Sequence, residues 1–139
     1  MIVLDTNVLS ELLRATPEPA VVRWTASQSL DTLYTTTVTQ AEMLYGVKLL
    51  PIGQRRQQLE EAVTALFEED FIERILPFDG GAARAYAEIA ADRKRNGRSM
   101  SQFDAQIAAI VQSRGGTLAT RNTDDFEGCG LHIINPWQS

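Results

Sequence analysis

The sequence predicts an α/β fold in a single domain, residues 1–139, with a central parallel sheet of about five strands and helices on both faces. Short apolar runs alternate with segments whose apolar residues recur at helical spacing, and strands separated by helices favour parallel pairing. A chain of 139 residues has the size of one ordinary domain, and no repeat, low-complexity tract or linker divides it. Because ligands bind beyond the carboxyl ends of such strands, the residues that follow each strand are the first candidates for a site.

The first half of the chain predicts two strands and three helices. The apolar run Met1–Leu4 ends at a turn and predicts a buried strand, and Leu33–Thr37, rich in threonine and tyrosine, predicts the second. The helices are expected from Asn7 to before Pro17, over Ala20–Gln28, and from Thr39 to about Leu50. Apolar residues share one face or recur at helical spacing at Val8, Leu9, Leu12, Leu13, Met43, Leu44 and Val47, and Val21, Val22 and Trp24 are expected to face partly inward.

The second half predicts three strands and three helices. The strands are expected at Glu73–Pro77, Thr117–Thr120 and Leu131–Ile134. The helices are an amphipathic one over Arg55–Asp70, an alanine-rich one from Asp79 or Gly80 to Asn96 that Gly97 stops, and one over Ser101–Arg114. Their inward positions are expected to include Leu59, Val63, Leu66, Phe67, Phe103, Ile107 and Ile110.

Composition excludes several classes of site. Cys129 and His132 are the only residues of their kinds, so neither an internal disulfide nor a cysteine–histidine zinc site is possible. The lone thiol suits a reducing cytoplasm, and the chain lacks an apolar membrane span and a secretory signal, so we expect a cytoplasmic protein. The net charge of −5 disfavours broad electrostatic binding of nucleic acid, but it permits a pocket of acids neutralised by a divalent metal.

Five acids lie where a parallel sheet would bring them together. Asp5 follows the first strand, Glu42 lies in the first turn of the helix after the second, and Asp124 and Asp125 follow the fourth. Asp104 lies at the start of the helix that precedes the fourth strand, and it joins the others if that helix runs antiparallel to the sheet. We therefore expect these carboxylates to converge at one edge of the sheet.

Each acid also has a local explanation. Asp5 suits the N-cap of the helix that follows it. Thr39-x-x-Glu42 and Ser101-x-x-Asp104 both match the capping box, in which the acid bonds to the cap's own backbone N–H. Asp124 and Asp125 have the character of ordinary loop residues. Taken one at a time, these positions indicate no more than helix capping.

Carboxylates that share one site behave differently from carboxylates that cap separate helices. Carboxylates a few ångströms apart repel one another, and a hard dication with oxygen ligands removes that conflict. Such a metal lowers the pKa of a bound water and stabilises charge on a phosphodiester. Since His132 is the only histidine, a histidine pair for acid–base cleavage of RNA cannot be built. Phosphodiester cleavage by this chain would therefore need metal.

The whole chain resembles the PIN-domain ribonucleases, and within them the VapC-type toxins of bacterial toxin–antitoxin pairs, including the FitB-like branch. The segments that carry the resemblance are IVLDTNVLSELLR at the start, TTTVTQAEMLYGV, SQFDAQIAAI, and LATRNTDDF followed by INPW. The opening LDTNVLSE is fairly specific alone, and the four segments occur in the expected order. The resemblance implies a PIN-like sheet and a metal-dependent endoribonuclease.

The resemblance also implies the metal ligands. Asp5, Glu42 and Asp104 match positions that coordinate Mg²⁺ or Mn²⁺ in the family. The fourth position departs from the pattern, because Asn122 stands where many relatives have an acid. We favour Asp124 as the fourth acid, with Asn122 assisting through its carbonyl oxygen and Asp125 as the competing choice. The hydroxyls of Thr6 and Thr120 are expected to orient the carboxylates.

Partners follow from the same resemblance. Family members cut single-stranded regions of RNA, commonly form homodimers, and are inhibited by a VapB-type antitoxin that wraps their apolar helices. The antitoxin in some cases inserts a basic residue into the acidic site, and it can carry the toxin into a hetero-oligomer on DNA. An exposed acidic pocket suits such a basic residue.

Basic and aromatic side chains supply candidate RNA contacts. A cluster near the end of the alanine-rich helix would track phosphates or simply complement the helix dipole, and its members are Arg93, Lys94, Arg95 and Arg98. Arg121, beside the proposed fourth ligand, is a further phosphate contact. Trp24 and Trp137 are expected to pack in the core or at a dimer contact rather than to stack on bases.

Two other functions compete with the nuclease. A haloacid-dehalogenase-like phosphatase also begins with a strand and an aspartate, but it needs a second aspartate where this chain has Asn7. A non-catalytic PIN-fold module would bind RNA or antitoxin only. Three clustered acids argue against that module, because they are costly to keep without a metal.

Overall fold

Five parallel strands form the centre of the protein, as the sequence predicts. The structure, a computed structural model, describes all residues from Met1 to Ser139. The strands are β1 (Ile2–Leu4), β2 (Leu33–Thr36), β3 (Ile75–Leu76), β4 (Thr117–Ala119) and β5 (His132–Ile134). Their order in the sheet is β3-β2-β1-β4-β5, and every neighbouring pair is parallel. The carboxyl ends of β1 and β4 therefore lie side by side in the middle of the sheet.

Six helices connect the strands, and each lies close to its predicted position. They are α1 (Thr6–Leu12), α2 (Pro19–Ser27), α3 (Thr37–Leu49), α4 (Gln54–Ala65), α5 (Gly80–Arg95) and α6 (Gln102–Ser113). The predicted long helix over 55–70 is α4 followed by a π-helical turn at Leu66–Asp70. Gly97 has a φ of 71°, in the left-handed region that favours glycine, and α5 ends just before it. No helix combines the length and apolar character that a membrane span requires.

The two faces of the sheet bury two separate apolar clusters. Successive strand residues point to opposite faces, so Val3 packs in one cluster and Leu4 in the other, and Leu118 and Ala119 divide in the same way. The cluster that contains Val3 includes residues of α5 and α6, and the cluster that contains Leu4 includes residues of α1 to α4. The predicted arrangement of helices on both faces is confirmed.

The predicted inward position of Phe103 is wrong, and two other apolar helix positions are more exposed than their spacing indicates. Phe103 is 51% exposed, because it lies in the first turn of α6 before that helix packs on the core. Val22 and Leu44 are also exposed, since the buried faces of α2 and α3 are centred on neighbouring residues. Trp24 and Trp137 both pack against the cluster that contains Leu4, so the core explanation of the two tryptophans holds.

Candidate active site

Asp5 lies at the carboxyl end of β1 and connects it to α1. Its backbone N–H donates to the carbonyl of Ala119 at 2.9 Å and so extends the pairing of β1 with β4. Its Oδ1 accepts from the N–H of Thr6 at 2.8 Å, which makes Asp5 the N-cap of α1. Its Oδ2 accepts from the hydroxyl of Thr120 at 2.8 Å. The capping explanation is therefore correct, but one oxygen of this buried carboxylate is engaged outside the cap.

Thr120 and Asn7 hold Asp5 in place. Thr120 Oγ1 accepts from Asn7 Nδ2 at 3.2 Å and from the N–H of Asn122 at 3.1 Å, so its own proton is directed to Asp5. Asn7 Nδ2 also lies 3.3 Å from Asp5 Oδ2, and Asn7 Oδ1 accepts from the N–H of Arg121 at 3.3 Å. The sequence interpretation missed this role of Asn7, and its only signal was its place directly after Asp5-Thr6.

Glu42 is not part of a capping box. Thr36 caps α3 by accepting from the N–H of Thr39 at 3.0 Å, so the helix begins earlier than predicted and Glu42 lies in its second turn. Thr6 Oγ1 donates to Glu42 Oε1 at 2.8 Å and lies 3.0 Å from Thr39 Oγ1. Since a hydroxyl has one proton, Thr6 can donate to Glu42 while accepting from Thr39.

Asp104 lies in the first turn of α6 and is partly buried. Ser101 is the N-cap of α6, and its side chain accepts from the N–H of Asp104 at 3.1 Å. The cap itself uses the backbone N–H of Asp104 and not its carboxylate.

Electrostatic repulsion links the three acids. Burial raises the pKa of Asp5 to about 6, against hydrogen bonds from Thr120 and Thr6, and the negative charges of Asp104 and Glu42 raise it further. Burial also raises the pKa of Glu42, against a hydrogen bond from Thr6, and Asp104 adds to the increase. Thr6 also connects Asp5 with Glu42 through its N–H and its hydroxyl, and the convergence of all three acids on one ion stays a prediction.

Asp125, rather than the favoured Asp124, acts on this group. Burial raises the pKa of Asp104, a hydrogen bond with Ser101 opposes it, and repulsion from Asp125 adds to the increase. The backbone carbonyl of Asp124 instead accepts from Arg98 at 3.3 Å. Asn122 contributes its backbone N–H to Thr120, as described above. The charge of Asp125 therefore reaches Asp104, and the choice of Asp124 or Asp125 as the fourth acid stays a prediction.

These residues offer the hard oxygen ligands that Mg²⁺ and Mn²⁺ prefer. No three Asp, Glu, His or Cys side chains lie close enough together to hold one ion directly. Mg²⁺, however, usually keeps several waters and takes only one or two carboxylates as direct ligands. Asp5 is the group whose buried charge a dication would stabilise most. The donor set therefore fits a hydrated dication better than a closed cage of protein ligands.

The predicted basic cluster does not form one exposed patch. Arg93 is only 8% exposed. Arg95 pairs with Asp92 at 2.7 Å, and Arg98 lies 3.6 Å from Glu127. Lys94 is exposed and has no ion pair within 4 Å. The guanidinium of Arg121 lies over the ring of Trp137, 5.3 Å from its centroid, and the backbone N–H of Arg121 donates to Asn7.

Comparisons with known proteins agree with this architecture. Residues 2–128 match the sequence profile of the PIN domain. The chain is 42% identical over 138 residues to the VapC ribonuclease Y4jK of Sinorhizobium fredii, with 99% of each chain covered. It is 39% identical over 137 residues to the toxin FitB of Neisseria gonorrhoeae, again with 99% of each covered.

A solved structure of FitAB bound to the IR36 DNA fragment contains a similar chain. The TM-score is 0.92 at 40% identity, and the match covers 99% of this chain and 96% of the other. Sequence motifs, fold and relatives agree along the whole length. The chain belongs to the PIN domain family.

Proposed function

We propose that this chain is a cytoplasmic, Mg²⁺- or Mn²⁺-dependent endoribonuclease and the toxin of a toxin–antitoxin pair. The observation that carries the proposal is that Thr6 bonds to both Asp5 and Glu42 at the carboxyl ends of the strands, while the charge of Asp104 raises the pKa of both. A VapC ribonuclease and a toxin among its relatives support the same activity. Family membership also removes the phosphatase alternative.

The residues of the site have distinct roles in this proposal. Asp5, Glu42 and Asp104 would hold a hydrated ion, one or two of them as direct ligands and the rest through its waters, with Asp125 as the fourth acid in place of Asp124. When bound, the ion supplies an activated water and neutralises charge on the phosphodiester. Thr120 and the N–H of Thr6 hold the Asp5 carboxylate in one orientation, and the hydroxyl of Thr6 does the same for Glu42.

Arg121 is the cation best placed to contact RNA phosphate. Stacking on Trp137 holds its guanidinium in one region, which reduces the entropy lost when it binds a phosphate. Its backbone is bonded to Asn7, next to the acids. Of the predicted basic cluster, only Lys94 is both exposed and unpaired. Substrate contacts are therefore expected from Arg121 and Lys94 before Arg93.

A groove beside Glu42 suits the antitoxin. It has a volume of about 830 Å³ and lies between α1, α3 and α4, with Thr6 and Glu42 on its wall. Its apolar lining includes Leu13, Met43, Leu50, Leu59 and Val63. An apolar antitoxin segment fits this lining, and a basic residue at one end would reach the acids. The FitAB complex supports a partner protein of this kind, and a homodimer stays a prediction.

Removal of metal is expected to stop cleavage. In EDTA the purified protein should cut single-stranded RNA at least about 100-fold more slowly, because nothing then activates the water or neutralises the phosphate. Mg²⁺ or Mn²⁺ added in excess should restore the rate, measured from RNA fragments on denaturing gels. Cleavage that is indifferent to EDTA would refute a metal mechanism, and metal binding without any cleavage would favour the non-catalytic module.

Thr6→Val is expected to weaken metal binding about 10- to 100-fold, as loss of a group that orients a ligand typically does. Valine keeps the shape of threonine but cannot donate to Glu42. The dissociation constant for Mn²⁺, measured by electron paramagnetic resonance, checks this. Thr6→Ser retains the hydroxyl and serves as the control, and equal Mn²⁺ affinity in the valine and serine variants would contradict the role of Thr6.

A further inference from the structure

Arg93 is a buried cation in the last turn of α5. Its Nε donates to the backbone carbonyl of Arg98 at 2.7 Å, and its terminal nitrogen donates to the backbone carbonyl of Glu127. Burial of a guanidinium is costly unless hydrogen bonds replace the lost water. Because its donors are directed to protein carbonyls, Arg93 is poorly placed for the RNA contact that the sequence suggests.

The two carbonyls belong to the two segments that carry acids of the proposed site. Arg98 lies three residues before Ser101, the cap of the helix that carries Asp104. Glu127 directly follows the 3₁₀ helix Thr123–Phe126, which carries Asp125. These segments are distant in sequence, and the single guanidinium of Arg93 bonds to both.

The charge of Arg93 and the contacts of Arg98 also connect these two segments. The positive charge of Arg93 lowers the pKa of Asp104, against the effects of burial and of Asp125. Arg98 reaches the same 3₁₀ segment from outside, through the carbonyl of Asp124 and the carboxylate of Glu127. That outer ion pair is half exposed and contributes little, so Arg93 supplies the buried polar connection, beside the apolar packing of Phe126.

We propose that Arg93 is a positioning residue of the nuclease site, whose guanidinium fixes the separation of Asp104 and Asp125 by joining the segments that carry them. The inference rests on the proposed function. It changes Arg93 from a substrate contact to an internal support, and it assigns the residue to metal binding rather than to RNA binding.

Arg93→Met tests the inference, because methionine fills the space of the alkyl chain and removes both donors and the charge. We expect the Mn²⁺ dissociation constant, measured by electron paramagnetic resonance, to rise about 10- to 100-fold, the range found when a group that supports a ligand is lost. In RNA cleavage at a fixed Mn²⁺ concentration, kcat should fall while KM for RNA changes little. Arg93→Gln is a smaller change and should also weaken Mn²⁺ binding. It replaces the methionine variant in the test if that variant does not fold.

Two control variants test whether loss of positive charge or loss of stability could by itself weaken Mn²⁺ binding. Arg95→Met removes the same charge from the same turn, but Arg95 pairs only with Asp92 at the surface, so Mn²⁺ affinity should not change. Val21→Ala truncates a buried residue of α2 on the other face of the sheet, and it reports what lost stability alone does to Mn²⁺ binding. Unchanged Mn²⁺ affinity in folded Arg93→Met or Arg93→Gln, or a rise in KM alone, would overturn the inference. Failure of the wild type to bind Mn²⁺ would instead overturn the proposed function.

Discussion

Asp104→Asn is expected to lower kcat for RNA cleavage by more than about 100-fold, because loss of a group that only supports a ligand already costs about 10- to 100-fold. The fold should persist, since Ser101 caps α6 through the backbone N–H of Asp104 and not through its carboxylate. Removal of one charge also relieves repulsion on Asp5 and Glu42. Steady-state cleavage of single-stranded RNA and circular dichroism of the same sample measure the two effects.

Asp124 and Asp125 offer a matched pair of controls. Asp125→Asn should slow cleavage about 10-fold or more, as removal of a ligand or its neighbour does, whereas Asp124→Asn should have little effect. The two changes are chemically identical and lie one residue apart, so a general loss of charge would affect both equally. Wild-type cleavage by Asp104→Asn, or a larger loss in Asp124→Asn than in Asp125→Asn, would contradict the proposed site.

The architecture is predictable because its signals are local. Apolar strands, helical spacing and the stop at Gly97 all follow from nearby residues, and the parallel sheet then determines which chain ends meet. The convergence of Asp5 and Glu42 follows from topology alone, since both come after strands that are neighbours in the sheet. The prediction of metal-dependent RNA cleavage came from the resemblance to the family's motifs.

Features that depend on tertiary contacts are not visible in the same way. Arg93 has the sequence context of a solvated helix end, yet two distant carbonyls bury it. The choice between Asp124 and Asp125 depends on which side of a 3₁₀ helix faces Asp104, and sequence spacing cannot determine that. Either Thr36 or Thr39 could cap α3 by its sequence context. Thr36 does so because β2 ends there and α3 begins at the next residue.

Asp5→Asn is expected to make the protein more stable in EDTA at neutral pH and unable to gain stability from metal. Burial raises the pKa of Asp5 to about 6, above its ordinary value. The folded state therefore binds the proton more tightly than the unfolded state, and the stability from this group is present below about pH 4 and lost as pH rises through about 6. A difference of about two pKa units corresponds to about 3 kcal/mol in the free energy of unfolding. Asparagine is uncharged and caps helices as well as aspartate does, but it loses one oxygen that accepts from Thr120, so the variant should recover only about 1 kcal/mol at pH 7.

Urea unfolding in EDTA at pH 5 and pH 7 measures the difference. Asp70→Asn serves as the control, because Asp70 is exposed and the same chemical change should have no comparable effect there.

Mg²⁺ at about 100 times its dissociation constant should stabilise the wild type by about 2.7 kcal/mol, since it binds only the folded protein. The variant should gain almost nothing, because its buried anion is gone. The advantage of Asp5→Asn in EDTA should therefore shrink or disappear in Mg²⁺. A variant that is less stable than the wild type in EDTA, or that gains as much stability from Mg²⁺, would show that Asp5 is a structural cap and not the centre of a metal site.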